Sequence, residues 1–369
     1  MENIEGEYFV NVINRRLANI ELLRVISAFG VIILHMNSNS DWGGVFQTAT
    51  IGSVHSYVAY FLESIFICAV NVFMIISGYF MGSRKKICII KPFMLLVQVG
   101  FFSEFFYLVE VILKTKPFSL TYFIGYGLPR NYFVILYIGV YIMAPYINLI
   151  MEKIKPERLE QLIVTAILIF SVEPFLITCT ENITGFRLTG LSFIGLDGDQ
   201  AGYTIVNFML LYLIGAYIRR KEKLRIGKRK LIVGLCIVWS LVMVWKYTGV
   251  YLDRATSVYQ YNNPLIIIMA ILTFQLFREM KVKDNKIITF LGKNSFAVYL
   301  GHAFFLKYIN YEALVSRSWI FMFASMLLLA GIIYLILIFC SFLYDFFINH
   351  WMGKLKIIKY IEAKWLSTE

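Results

Sequence analysis

Runs of about 20 mostly apolar residues recur along almost the whole chain, which limits what it can fold into. A helical run of this length crosses the hydrocarbon core of a bilayer, where only helices and closed barrels satisfy their backbone hydrogen bonds. The chain is 59% hydrophobic with a mean hydropathy of +0.70, which excludes a soluble domain of ordinary composition. We therefore predict an all-α, polytopic membrane protein that forms one domain over residues 1–369. The ten predicted transmembrane helices cover residues 20–36, 57–80, 89–113, 132–150, 159–178, 203–219, 231–248, 263–278, 287–309 and 318–343.

The distribution of lysine and arginine predicts that both termini are cytoplasmic. With that orientation 25 of the 35 Lys and Arg residues lie in the cytoplasmic segments or at the span ends next to them, and 8 lie in the outer loops or at the span ends next to those. Cytoplasmic loops of membrane proteins are enriched in these residues. Membrane topology thus accounts for the net charge of +12, and we predict no nucleic-acid partner. The tail over residues 344–369 mixes aromatic residues with lysines at helical spacing, so we expect it to lie on the inner membrane surface against lipid.

Two further features bear on processing and metal binding. The first apolar run is not followed by an A-x-A cleavage pattern, so we expect it to be a retained helix. The five cysteines are scattered and lack the spacing of metal ligands, so we predict no metal site.

The first apolar run carries an arginine and a histidine at positions where contact with lipid would be energetically costly for both. Arg24 and His35 are eleven residues apart, which in a helix separates them by about 20° in rotation and about 16 Å along the axis. Ser27, Ala28 and Val31 lie between them on the same face. Ionisable residues inside a membrane are costly and usually functional, so we predict a groove with a cation at its cytoplasmic end and an imidazole at the other. The alternative is a snorkelling arginine and an unrelated interfacial histidine.

The ninth apolar run contains a second intramembrane histidine in the stretch FLGKNSFAVYLGHAFF. Ser295, Tyr299 and His302 share one face of the predicted helix. His302 should lie at about the same depth as His35, which favours a site role, although a structural hydrogen bond would also explain it.

The second apolar run ends in the stretch VNVFMIISGYFMGSRKK. Asn71 and Gly78 lie along one face with Ser77 beside them, and Arg84 follows at the cytoplasmic end. Such residues can offer hydrogen bonds and positive charge to a phosphate-bearing ligand. The alternative for the Ser-Gly pair is close helix packing through small residues.

One acidic residue stands out in the fifth apolar run. Glu173 precedes Pro174 in the stretch IFSVEPFLI, and we expect it to face the bundle interior or water rather than lipid.

Four separated motifs resemble the acyltransferase-3 family of membrane acyltransferases. They are the Arg24 and His35 pair, FMIISGYFM in the second run, YFVILYIGVYIMAPYIN at 132–148 and NSFAVYLGH in the ninth run. The resemblance implies a ten-helix domain of the bacterial plasma membrane. Such a domain takes an acyl group, usually acetyl from cytoplasmic acetyl-CoA, and delivers it to a carbohydrate hydroxyl. It also implies functional roles for Arg24, His35, Ser77 and Gly78, and we expect the form without a fused extracytoplasmic domain.

The chain departs from the family pattern after the second run. Many members are arginine-rich there, whereas this chain reads SRKKICIIKPF. Lysine keeps the charge but lacks the planar fork that binds phosphate through two hydrogen bonds. The sequence therefore leaves open which of four residues would meet the coenzyme phosphates: Arg84, Lys85, Lys86 or Lys91.

These residues suggest a hypothetical mechanism. Arg24 would hold the donor, and His35 would accept the proton of the attacking sugar hydroxyl as a general base. Glu173 would orient that imidazole, and the candidates for oxyanion stabilisation are Asn71, Tyr299 and His302. An acyl-histidine intermediate is an alternative route. The alternative function is a transporter or polysaccharide carrier, which would also bury acids and histidines in a helix bundle.

Overall fold

The computed structural model describes residues 17–38, 43–128, 131–186, 200–221, 225–252 and 258–349. Those residues form helices and connecting turns with no β-strand among them, so the all-α prediction is confirmed. In chain order the helices are α1 (Ala18–Asn37), α2 (Val45–Thr48), α3 (Val54–Phe66), α4 (Ala69–Met81), α5 (Ile90–Ile112), α6 (Leu120–Gly127), α7 (Tyr132–Lys153), α8 (Pro156–Ile167), α9 (Glu173–Thr184), α10 (Ile205–Arg220), α11 (Lys228–Tyr251), α12 (Pro264–Glu279), α13 (Lys286–Lys293), α14 (Ser295–Leu306), α15 (Tyr311–Val315) and α16 (Trp319–Tyr344).

Helices occur at all ten predicted spans, but three spans are divided. The second span is α3 plus α4, and the ninth is α13 plus α14. The fifth contains a π-helical turn, Leu168–Val172, directly before the helix that carries Pro174. A π-turn adds a residue to the helix, and such turns commonly accommodate local irregularities such as this proline.

Seven helical stretches among the described residues are long and apolar enough to cross a membrane. Three predicted spans fall outside this set because their helices, α10, α12 and α14, have 16, 16 and 12 residues. The chain is therefore multi-helical and apolar as predicted, while the count of ten and the orientation stay predictions. Most of the tail predicted at 344–369 lies outside the described residues.

Polar residues at the starts of the helices explain where many of them begin. Their side-chain oxygens accept hydrogen bonds from backbone N–H groups of the first turn, which have no partner within the helix. The capping residues are Ser53, Ser119, Asn131, Thr204, Asn263, Asn285, Asn310 and Ser318.

Helix α1 lies between two hydrophobic cores. One core contains Ile20 and Leu23 of α1 packed with residues of α4, α7, α10 and α12. The other contains Ala28 and Ile32 of α1 packed with residues of α3, α5, α14 and α16. The first helix is therefore surrounded by protein along most of its length, and its polar side chains face other helices rather than lipid.

Helices α4 and α10 pack together through glycines. A Cβ atom added at Gly78 would collide with the backbone oxygen of Tyr212, and one added at Gly215 would collide with that of Ile75. Small residues let two membrane helices approach until their backbones touch. This contact fixes α4, which forms one wall of the cavity described below.

We predict that Gly215→Ala destabilises the protein, because the added methyl group has no space against the Ile75 carbonyl. Overpacking of this kind costs about 1–3 kcal/mol. Thermal unfolding in detergent should show a lower midpoint. The matched control is Gly331→Ala in α16, where an added Cβ meets nothing within 4 Å. Equal midpoints for the two variants would contradict the proposed close packing.

Candidate functional site

A cavity of about 640 Å³ lies where the two cores meet beside α1. This volume is within the range of small-molecule and cofactor sites. Its lining residues come from α1, α4, α5, α7, α13, α14 and the end of α16.

Positive charge is concentrated among the lining residues. Arg24, Lys91 and Lys293 line the cavity, whereas Asp345 is the one acidic residue that does so among the described residues. The Arg24 guanidinium donates to Glu21 Oε1 at 2.7 Å and lies 5.7 Å from the centre of the Phe80 ring. Glu21 is almost fully buried, so this ion pair fixes the direction in which the guanidinium enters the cavity.

Serine hydroxyls on the cavity wall already donate their hydrogens within the protein. Ser77 Oγ donates to the Phe73 carbonyl at 2.8 Å, and Ser295 Oγ donates to the Gly292 carbonyl at 2.9 Å. A hydroxyl oxygen that donates still has lone pairs that can accept. These serines can therefore accept hydrogen bonds from amide groups of a bound molecule, but they cannot stabilise negative charge in this arrangement.

Two histidines pack against each other close to the cavity. The ring centres of His35 in α1 and His302 in α14 are 4.7 Å apart. Tyr299, which lines the cavity, has its ring centre 6.0 Å from that of His302. The structure thus brings together three of the residues that the sequence singled out, and of these Tyr299 lines the cavity.

The hydrogen bond of His302 defines its reactive nitrogen. Its Nδ1 lies 3.1 Å from the Val298 carbonyl oxygen. A carbonyl can only accept, so Nδ1 carries the hydrogen, and Nε2 of the neutral ring is the basic nitrogen. Two positively charged rings at this distance would repel each other in a poorly solvated interior, so the pair is suited to hold one proton at a time.

The prediction of an open groove along α1 between Arg24 and His35 is wrong. Ser27, Ala28 and Val31 are buried and do not line the cavity, and His35 does not line it either. That face of α1 is filled by neighbouring helices. The open space instead follows the face of α14 that carries Ser295 and Tyr299.

Comparison with protein-family models matches the chain to an acyltransferase domain over residues 17–346. The chain belongs to the acyltransferase-3 family. No curated protein and no solved structure matches it. Membership makes the chain a multi-pass membrane acyltransferase that uses an acyl donor, and it decides between the enzyme and the transporter considered above.

Several predicted site residues of this acyltransferase lie away from the cavity. The amide of Asn71 donates to the Tyr261 carbonyl at 2.7 Å, and its own Oδ1 is buried without a hydrogen-bond partner among the described residues. Gly78 is in the α4–α10 contact, so the packing alternative accounts for it. Arg84 is exposed and outside the cavity lining.

Glu173 also lies outside the cavity lining. It is at the start of α9, and none of the described residues of that helix lines the cavity. Its Oε2 is buried and has no hydrogen-bond partner there. The predicted role of Glu173 in orienting the imidazole therefore gains no support from the structure of the acyltransferase.

Sequence reasoning missed other polar residues around α1. Glu21 precedes Arg24 by three residues, a spacing that places two side chains side by side on a helix and could have revealed the pair. Glu63 accepts a hydrogen bond from the Asn37 amide at 3.0 Å, two residues beyond His35. Lys293 was also missed, although it lies two residues before Ser295 and lines the cavity.

We predict that Ser77→Cys, in a variant that lacks the five native cysteines, reacts with a maleimide reagent because residue 77 lines the cavity. Ser64→Cys is the control, since Ser64 is fully buried and outside the cavity lining. Mass spectrometry of the labelled protein measures both. An unreactive thiol in the Ser77→Cys variant, or equal labelling of the Ser64→Cys variant, would contradict the described cavity.

Proposed function

We propose that this acyltransferase moves an acetyl group from cytoplasmic acetyl-CoA to a hydroxyl of a cell-surface or secreted carbohydrate, in the plasma membrane of a bacterium. The observation that carries the proposal is a cavity with three cations whose lining includes Tyr299, with the histidine pair packed next to that tyrosine. The acceptor class and the compartment are expectations from the family resemblance, and the cations of the cavity support the choice of donor.

The cations are suited to the donor. Coenzyme A carries several phosphates at one end of a long flexible arm and the thioester at the other. Arg24 would bind phosphate through its planar fork, and Lys91 and Lys293 would add charge. The sequence leaves four basic residues as candidates for contact with the coenzyme phosphates. Of these, Lys91 lines the cavity and Arg84 does not, which favours Lys91 over Arg84.

The histidine pair is suited to the chemistry. The hydroxyl oxygen of the acceptor attacks the thioester carbonyl carbon while His35 takes the hydroxyl proton. The resulting tetrahedral intermediate expels the coenzyme thiolate, which regains a proton from the pair. The products are the O-acyl ester and free coenzyme A, so atoms and charge balance.

Hydrogen bonding favours one of the three oxyanion candidates. Tyr299 donates to Asn131 Oδ1 at 3.1 Å, and Asn71 donates to the Tyr261 carbonyl. When the proton that His35 takes passes to Nε2 of the adjacent His302 ring, that nitrogen becomes a donor. We therefore assign stabilisation of the oxyanion to His302, which Val298 holds in place.

We predict that His35→Gln reduces carbohydrate acylation by about 10²- to 10⁴-fold, the usual contribution of a general base. The measurement is mass spectrometry of surface glycans from cells that express each variant at equal membrane levels. The control is His55→Gln, a partly exposed histidine whose Nε2 lies 2.7 Å from the Arg317 carbonyl and which takes no part in the histidine pair. Normal acylation by the His35 variant would refute its role as the base.

We predict that Arg24→Ala weakens acetyl-CoA binding about tenfold or more, because each charge-assisted hydrogen bond to phosphate contributes about 1.5–3 kcal/mol. Calorimetric titration of the purified protein measures the affinity. Arg84→Ala is the matched control and should bind normally, since Arg84 is exposed and outside the cavity lining. Normal binding by Arg24→Ala together with weakened binding by Arg84→Ala would contradict the assignment and would indicate that the donor phosphates bind at the loop after α4.

A further inference from the structure

A second cavity, of about 360 Å³, lies at the ends of three helices and shares no lining residue with the first. Its residues come from the segment after α4, the last turns of α7 and the last turns of α10.

The charge around this cavity is positive. Lys85, Arg219 and Arg220 line it, against a single acid, Glu152. Lys85 and Glu152 are 3.1 Å apart, but more than half of each side chain is exposed. Such a surface pair contributes little, so Lys85 can exchange Glu152 for a stronger anionic partner at low cost.

Both arginines are held by the protein. One Arg220 nitrogen donates to the Met151 carbonyl at 2.7 Å and to the Ile154 carbonyl at 3.1 Å. The Arg219 guanidinium lies 5.3 Å from the centre of the Tyr79 ring. Side chains that are already positioned lose less conformational entropy when they bind an anion.

The base of the cavity is rigid. The buried amide of Asn148 donates to the Met81 carbonyl at 2.7 Å and to the Arg84 carbonyl at 2.8 Å, and its oxygen accepts from the Tyr212 hydroxyl. The polar atoms of Asn148 are therefore occupied within the protein, which leaves the basic residues to bind a ligand.

An exposed apolar surface lies next to the cavity on the same helix. Tyr146, Leu149 and Ile150 of α7 are exposed, and Met151 and Glu152 of the next turn line the cavity. In a membrane protein such a surface faces acyl chains. The predicted orientation places this end of α7 at the cytoplasmic boundary, where anionic lipids are concentrated.

We propose that this cavity binds the phosphate of an anionic phospholipid headgroup, with the acyl chains along the exposed face of α7. The tendency of cytoplasmic loops to be basic explains why these segments carry Lys and Arg. It does not explain why residues from three separate segments converge on one cavity that opens beside an apolar face.

The test is a binding titration of the purified full-length protein in detergent, read by native mass spectrometry. The ligands are phosphatidylglycerol, phosphatidylcholine and inorganic phosphate. The wild type should bind phosphatidylglycerol more tightly than phosphatidylcholine. Lys85→Gln with Arg219→Gln should bind it about tenfold or more weakly, since two charge-assisted contacts are lost.

The matched control is Lys228→Gln with Arg229→Gln. These two exposed cations begin α11, outside both cavities, and the control should bind as the wild type does. If the first double variant does not fold, Lys85→Gln alone serves, because its exposed side chain tolerates replacement and should still weaken binding.

Three results would overturn the proposal. They are equal binding of the two lipids, equal weakening in both double variants, and displacement of phosphatidylglycerol by inorganic phosphate at matched concentration. The last result would assign the cavity to a soluble phosphate compound instead. None of these readouts depends on acyl transfer, so they are independent of the proposed enzymatic function.

Discussion

The structure depends on one constraint, which is that polar groups on α1 must find partners inside the protein because lipid cannot hydrate them. Asn19 donates to the Phe277 carbonyl of α12 near one end, and Asn37 donates to Glu63 of α3 at the other. These two contacts with neighbouring helices fix the rotation of α1 about its own axis. With that rotation set, Arg24 points into the cavity and the His35 ring meets the ring of His302.

Apolar runs and helical periodicity made part of this predictable. A helix occurs at each of the ten predicted spans, and periodicity placed Ser295, Tyr299 and His302 on one face of α14. Periodicity identifies which side chains share a face, but not which neighbouring helix covers that face. The groove beside Ser27 and Val31 failed for this reason, because packed helices fill it and the cavity opens along α14 instead.

The two cavities lie at different positions along α4. Ser77 of α4 lines the larger cavity and Gly78 packs on α10, whereas Gly82, Ser83 and Lys85, just after the helix, line the smaller one. A lipid phosphate bound between the ends of α4, α7 and α10 would link these three helices. Two of them, α4 and α7, also line the larger cavity in which the donor is proposed to bind. The proposed lipid site would thereby stabilise the donor cavity without touching the donor.

The most direct test of the account is an experimental structure with a non-hydrolysable acetyl-CoA analogue bound. We expect its phosphates beside Arg24, Lys91 and Lys293, and its acetyl group beside Tyr299 and directed towards the histidine pair. Density for the analogue outside this cavity, or with its acetyl end turned away from Tyr299, would contradict the account.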